Sequence, residues 1–410
     1  MKNIEELKDT FIDIEQLLKQ DNGRMWGVNL YGALMFVNPA TKDFIANEQN
    51  IAGTFTKEED YFAGKLDEKT MIANTALEID GKSWTMVMLP LPKDRDAKRE
   101  LIVHELFHNI QDRLNLPQDA GTNSHLDGKT ARIYLQLEWN ALLRANLADN
   151  KSTRIMHIKN ALIFREIRRM EYIGSEVKEN CLELLEGLAE YTGVKLGIEK
   201  ESKKKEFIAK KVENAVNSYP SFIRSFAYIS GPLYGLLLDK TGTEWRKKIN
   251  EKSDLGQLLA EILKINTNSD PRNKFNKTKH FYGFDKIEEF ENRREERNIK
   301  TVNMYTDKFI NNPVLILPNK KMQFQFNPSE LIALGNTGNV YPHLMVVADW
   351  GTLTAEEGAV IASDWMSVLV STPFRTEGNV LLGTGWKIKL NEKWKVIPKG
   401  TSFTLEESGN

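Results

Sequence analysis

Residues His104, Glu105 and His108 lie in the run Ile102-Val103-His104-Glu105-Leu106-Phe107-His108-Asn109-Ile110-Gln111, which carries a helical apolar pattern. Four residues of helix turn the chain by about 400°, so His104 and His108 project from one face about one turn apart. Two imidazoles so spaced can hold one Zn²⁺, and Glu105, adjacent but angled aside, can reach a metal-bound water. An isolated histidine in a helix is ordinarily a partly buried core residue. Here a carboxylate stands directly beside the first histidine, where a buried charge is costly. The chemistry expected is hydrolysis at a zinc centre.

A catalytic zinc site takes three protein ligands and leaves one position for water. The other histidines are His125, His157, His280 and His343, and none follows His108 in a His-x-x-Gly-x-x-His pattern, which excludes a metzincin-type site. The stronger source of a third ligand is Leu184-Leu185-Glu186-Gly187-Leu188-Ala189-Glu190-Tyr191. Glu186 and Glu190 are four apart and share one helix face, while Leu182, Leu184, Leu185 and Leu188 leave little polar surface around them. Gly187 and Ala189 would let this helix come close to the one bearing the histidines. Asp127-Gly128-Lys129-Thr130 invites a phosphate-loop reading, but Asn123 stands where the first glycine is required. Asn123-Ser124-His125-Leu126-Asp127 reads as a capped loop near a cleft, with His125 either a further polar group of the site or a surface residue. Cys181 among leucines reads as a buried small residue, not a nucleophile.

Val103-His104-Glu105-Leu106-Phe107-His108 followed by Glu186-Gly187-Leu188-Ala189-Glu190-Tyr191 resembles the motifs of gluzincin metallopeptidases, the thermolysin-like and aminopeptidase N-like group. The resemblance implies Zn²⁺ on His104, His108 and Glu186, with Glu105 as general base and Glu190 orienting a ligand histidine. Tyr228-Ile229-Ser230-Gly231 is similar to the family segment whose tyrosine stabilises the oxyanion, which implies that role for Tyr228, with Tyr234 as a rival. The resemblance also implies a thermolysin-like, mostly helical core and a peptide or protein substrate. Two departures stand out. The interval from His108 to Glu186 exceeds the family's usual short one, so two extra helices are inserted. No Gly-x-Met-Glu-Asn element that would grip a free amine is present, so aminopeptidase specificity is not implied. A zinc hydrolase of a non-peptide amide or ester, and a zinc-containing scaffold without turnover, are the alternatives.

The elements that must hold these residues are read from periodicity. Ile4, Leu7, Phe11, Ile14, Leu17 and Leu18 mark a helix over 4–20, and Trp26–Tyr31, Gly32–Val37 and Trp84–Leu89 read as strands. An edge strand just ahead of the metal helix could pair with an extended peptide. The motif helix is expected from Asp94 to about Leu114, followed by a loop over Leu116–Gly128. Helices at about 129–149, 152–171, 175–196, 203–216 and Pro220–Asp239 come next, then a charged connector or surface helix over 270–300. Strand-like runs recur at Val314–Leu317, Met322–Phe326, His343–Val347, Val380–Leu382 and Trp386–Leu390. The fold class expected is α+β. Residues 1–95 form an N-terminal α/β subdomain with an edge strand, 96–300 a helical zinc-binding domain and 301–410 a β-rich C-terminal domain.

The 410 residues include 56 Lys+Arg and 57 Asp+Glu. That balance argues against nucleic acid as a partner, because phosphate binding leaves a basic excess. The lysines at 203–205 and 210–211 interleave with Glu201, Glu206 and Glu213 and read as a solvated helix face. No apolar run nears the ~20 residues that cross a bilayer, so no membrane partner is expected. No signal peptide is visible, which points to a cytoplasmic protein unless the sequence is a trimmed secreted form. The single cysteine excludes an intramolecular disulfide.

Overall fold

Leu34, Met35, Phe36 and Val37 are apolar at every position, the pattern of a strand covered on both faces, and they form β1 (Leu34–Val37). Successive side chains alternate across the strand. Met35 and Val37 therefore join Phe44, Trp84 and Met86 in a small core on one face, while Phe36 stacks at 4.5 Å on Phe11 from the other. Phe11 belongs to α1 (Ile4–Asp21), the first helix expected. In this computed structural model residues 4–67, 70–117, 121–218, 221–266, 270–327 and 330–408 are described.

The sheet around β1 comprises β2 (Asp43–Ala46), β3 (Thr56–Lys57), β4 (Phe62–Lys65), β5 (Thr75–Ile79) and β6 (Lys82–Met88), in the order β3-β4-β2-β1-β6-β5. β1 and β6 run parallel with Leu34 opposite Thr85, and the remaining pairs are antiparallel. The strand ahead of the motif helix is thus interior, and β5 is the edge. A two-residue link at 80–81 folds β5 back along β6 and covers the side expected to be free. The run Trp26–Tyr31 is not a strand. Gly23 and Gly27 adopt positive φ, and the Trp26 indole turns inward to donate to Thr192 Oγ1 at 3.0 Å.

The motif helix is α2 (Arg95–His108), started by Asp94, whose side chain accepts from the Ala97 amide at 2.9 Å. It stops at His108, six residues before the expected end, and a 3₁₀ turn covers Asp112–Leu114. The Asn109 side chain bonds to Ser83 and Thr85 of β6, and the amides of Asn109 and Ile110 bond three residues back, which tightens the chain out of the α-helix. Ile102 to Phe107 are all buried, so the helix runs through the interior with its functional residues inside.

Beyond it come α3 (Lys129–Leu147), α4 (Lys151–Glu171), α5 (Glu176–Leu182), a π-helical turn (Glu183–Gly187), α6 (Leu188–Gly197), α7 (Glu201–Ser218) and α8 (Ala227–Asp239). Of the loop expected over Leu116–Gly128, residues 118–120 lie outside the described set, as does the expected helix start at 220. Helices Pro271–Thr278 and Phe284–Thr306 occupy the charged region.

Two compact units result. Residues 1–67, 72–218 and 224–288 form one, and 68–71, 219–223 and 289–410 the other. The sheet and the helices, expected as separate domains 1–95 and 96–300, are one unit, because α1 and α2 use the sheet as their floor. The later boundary falls inside Phe284–Thr306, before residue 301. The second unit is a β-sandwich of a seven-stranded and a six-stranded sheet around Leu315, Val346, Trp350, Leu353, Val370 and Ile388. Its strands Val314–Pro318, Gln323–Phe326, Leu344–Ala348, Val380–Gly383 and Trp386–Leu390 fall on the runs expected. The chain is α+β. Among the described residues no helix is long and apolar enough to cross a membrane.

Candidate metal centre

α2 supplies two donors and the π-helical turn the third. His104 Nε2 and His108 Nε2 are 3.1 Å apart, and each lies 3.6 Å from Glu186 Oε2. Donor atoms ~2.1 Å from a tetrahedral Zn²⁺ stand ~3.4 Å from one another, so the three fit one ion. Among the described residues this is the group of three that can hold a metal.

The opposite ring nitrogens are held. His104 Nδ1 is 2.9 Å from Glu190 Oε2, which is buried, and Lys211 pairs with the other Glu190 oxygen. His108 Nδ1 is 2.7 Å from Gln111 Oε1. The Gln111 amide can present only oxygen there, because its Nε2 donates to the Leu185 carbonyl at 2.5 Å. Both Nδ1 atoms therefore carry protons, and both Nε2 lone pairs turn toward Glu186. Lone pairs at 3.1 Å repel unless something positive sits between them. Burial opposes charge on His104 and His108, yet Glu186 and Glu105 together outweigh it and raise both pKa values. Burial would raise Glu186, but the two imidazoles hold it well below the usual carboxylate range.

Glu105 is buried beside the histidines, and among the described residues no hydrogen-bond donor sits on its carboxylate. Burial pushes its pKa up, with His104 and His108 offsetting part of the rise. Tyr228 stacks on the His104 ring, with centroids 5.6 Å apart and planes 3° apart, and its hydroxyl donates to Glu186 Oε2 at 2.7 Å. Burial and Glu186 hold that hydroxyl protonated. Tyr234 is elsewhere: its hydroxyl donates to buried Glu138 at 2.7 Å.

Glycines set the approach of the elements, though not as expected. A Cβ on Gly193 or Gly197 would meet the Glu100 backbone at 2.5–2.9 Å, so these two, not Gly187, bring α6 against α2. Gly187 faces Gly231 of α8, where a Cβ on Gly231 would lie 2.2 Å from the Gly187 carbonyl oxygen. That contact seats the Glu186 turn against the helix bearing Tyr228.

His125 is not part of the site. Its Nε2 is 2.8 Å from Glu179, in a buried network of Arg165, Arg168, Arg169, Glu138, Glu179, Glu183 and Asp254. Asn123 does not cap the following helix with its side chain. Cys181 is half-buried. His157 and His280 bond to Tyr282 and Asp285. Sequence reasoning missed Gln111, Lys211 and Arg224, the last 3.9 Å from Glu186 Oε1. Gln111 was readable as the polar residue three after His108, within reach on a helix or a tightened turn.

Comparison of the chain with protein-family models, with curated proteins and with solved structures returned no match. The geometry alone carries the functional reading.

Proposed function

We propose that the chain is a zinc-dependent metallopeptidase of the gluzincin kind, cleaving peptide bonds with an activated water. One observation carries this: three donor nitrogens and oxygens converge at metal spacing beside a buried carboxylate that no protein donor engages. A scaffold that merely stored zinc would gain nothing from setting the Glu105 carboxylate beside the donors with no protein hydrogen bond on it.

His104, His108 and Glu186 would hold the ion, which when bound supplies a Lewis acid and lowers the pKa of a bound water. Glu105 takes the proton of the attacking water and returns it to the leaving nitrogen, and its burial beside the histidines raises its pKa above the usual carboxylate range. The Tyr228 hydroxyl, a permanent donor, leaves Glu186 Oε2 to stabilise the developing oxyanion. Glu190 and Gln111 keep the imidazoles aimed. In this reading the helices and sheet form a thermolysin-like core, and an extended peptide pairs with the edge β5, not with interior β6.

The test separates binding from turnover. Glu105→Gln is expected to keep full zinc and to lose about 10²–10⁴-fold in peptide hydrolysis, and a chelator to abolish cleavage by the native protein. Hydrolysis unchanged in Glu105→Gln overturns the assignment. Intact peptides despite full zinc occupancy transfer the site to a non-peptide amide or ester, or to a scaffold role.

A further inference from the structure

Arg224 stands four residues before Tyr228, in the segment that leads into α8. The two side chains bracket Glu186 differently. Tyr228 holds Oε2 by a 2.7 Å hydrogen bond, whereas the Arg224 guanidinium is 3.9 Å from Oε1, beyond hydrogen-bond reach. Among the described residues no acceptor takes any Arg224 donor, and Glu186 is its sole ion-pair partner. The side chain keeps 21% of its surface exposed.

Two buried arginines of the same unit are instead spent on carboxylates. Arg99 grips Asp13 through two nitrogens at 2.6 Å, and Arg168 grips Glu179 through two at 3.0 Å. A guanidinium offers five donors in a planar fork that matches a carboxylate. Arg224 presents that fork beside the candidate metal centre with its donors unused.

Geometry points the same way. Tyr228 occupies Oε2 of Glu186 and Arg224 lies on the Oε1 side, so the guanidinium is held at the candidate metal centre without being closed by it.

We propose that Arg224 receives a carboxylate of the substrate next to the scissile bond. This rests on the peptidase reading and names its substrate class: peptides carrying an anionic group at that place, from either a free C-terminus or an Asp or Glu side chain. The competing role, a counter-ion to Glu186 alone, affects zinc affinity but not the choice of peptide.

The experiment uses zinc-loaded full-length Glu105→Gln protein and calorimetric titration with matched peptides. One arm compares a free C-terminal acid with its amide, and the other compares internal Asp with Asn. One of the arms is expected to show about ten-fold or greater preference for the anion, and the arm that does so identifies the source. Arg224→Met in the same background should collapse that preference to about one, with Arg224→Lys retaining part of it. Equal affinities in both arms, or a preference that survives Arg224→Met, overturn the proposal, as does a variant altered only in zinc affinity. With the native protein, cleavage of acid and amide, Asp and Asn peptides at equal rates would uphold the peptidase and remove Arg224 from substrate selection. Cleavage of none would remove the peptidase reading itself.

Discussion

Two sets of buried charge draw on one helical run, residues 176–197, and they are built on opposite rules. In the network around Arg165 and Arg168, each guanidinium meets carboxylates: Arg165 bonds to Glu183 at 2.6 Å and Glu138 at 3.1 Å, and Arg168 grips Glu179 twice. Tyr234 and His125 add further bonds to Glu138 and Glu179. At the His104 site the groups converge without satisfying one another: two lone pairs face each other, Glu105 has no protein donor, and Arg224 has no acceptor among the described residues. Buried charge that closes on itself fixes helices in place. Buried charge left open is arranged around something that is to arrive.

The sharpest break of this contrast is Arg168→Met. It removes the guanidinium that joins Glu138 to Glu179 in the core, leaving more carboxylate than cation there, and is expected to cost about 3–5 kcal/mol of stability in chemical denaturation. His108→Ala, by contrast, should abolish zinc binding while moving the metal-free denaturation midpoint little. If the two variants destabilise the metal-free protein equally, the distinction between closed and open charge fails. A second prediction grades the open site. Glu186→Ala should reduce zinc affinity most, and Glu190→Ala and Gln111→Ala should each weaken it about 10–100-fold, read by competition with a chelator. Glu190→Ala outranking Glu186→Ala would exchange their roles.

The smallest effect lies where α2 begins. Hydrogen bonds from Arg99 overcome burial and hold Asp13 at a pKa of about 2. A carboxylate depressed in the folded state adds stability above its unfolded pKa of about 4 and loses it as pH falls through about 2. Asp13→Asn should therefore cost about 1 kcal/mol at neutral pH, after allowance for solvent screening of this partly exposed pair. The gap from the native protein should close in acid, and a gap unchanged at pH 2 would assign the loss to packing.

The three donors were legible because their chemistry is local: two histidines one turn apart, and a carboxylate in a leucine-rich helix. Glu190 was legible for the same reason, and its bond to His104 is in place. Five of the sandwich strands were legible from apolar runs, and the others, such as Gly338–Tyr341 and Ser402–Glu407, were not. What escaped depends on tertiary contact. Arg165 and Arg168 lie on a helix that periodicity places at about 152–171, and nothing in their spacing says that α3 and α5 bury them. β6 read as the free strand because its hairpin partner, Thr75-Ala76-Leu77-Glu78-Ile79, is largely exposed and weakly patterned. Lys211, far from the histidines in sequence, reads as one more charge on a solvated helix face.

The π-helical turn Glu183–Gly187 ties the two charge sets together, since Glu183 at its start answers Arg165 and Glu186 near its end answers the histidines. A π turn holds one residue more than the α-helical turn it replaces. Deleting a single residue there would let an ordinary α-helix run through the turn, and the separation of Glu183 and Glu186 along the helix would shorten by one residue. Glu183 and Glu186 could not then both keep their partners. The chain is one amino acid away from a smoother helix that no longer joins the two charge sets, which makes this turn the place where a length change, harmless in a surface loop, is decisive.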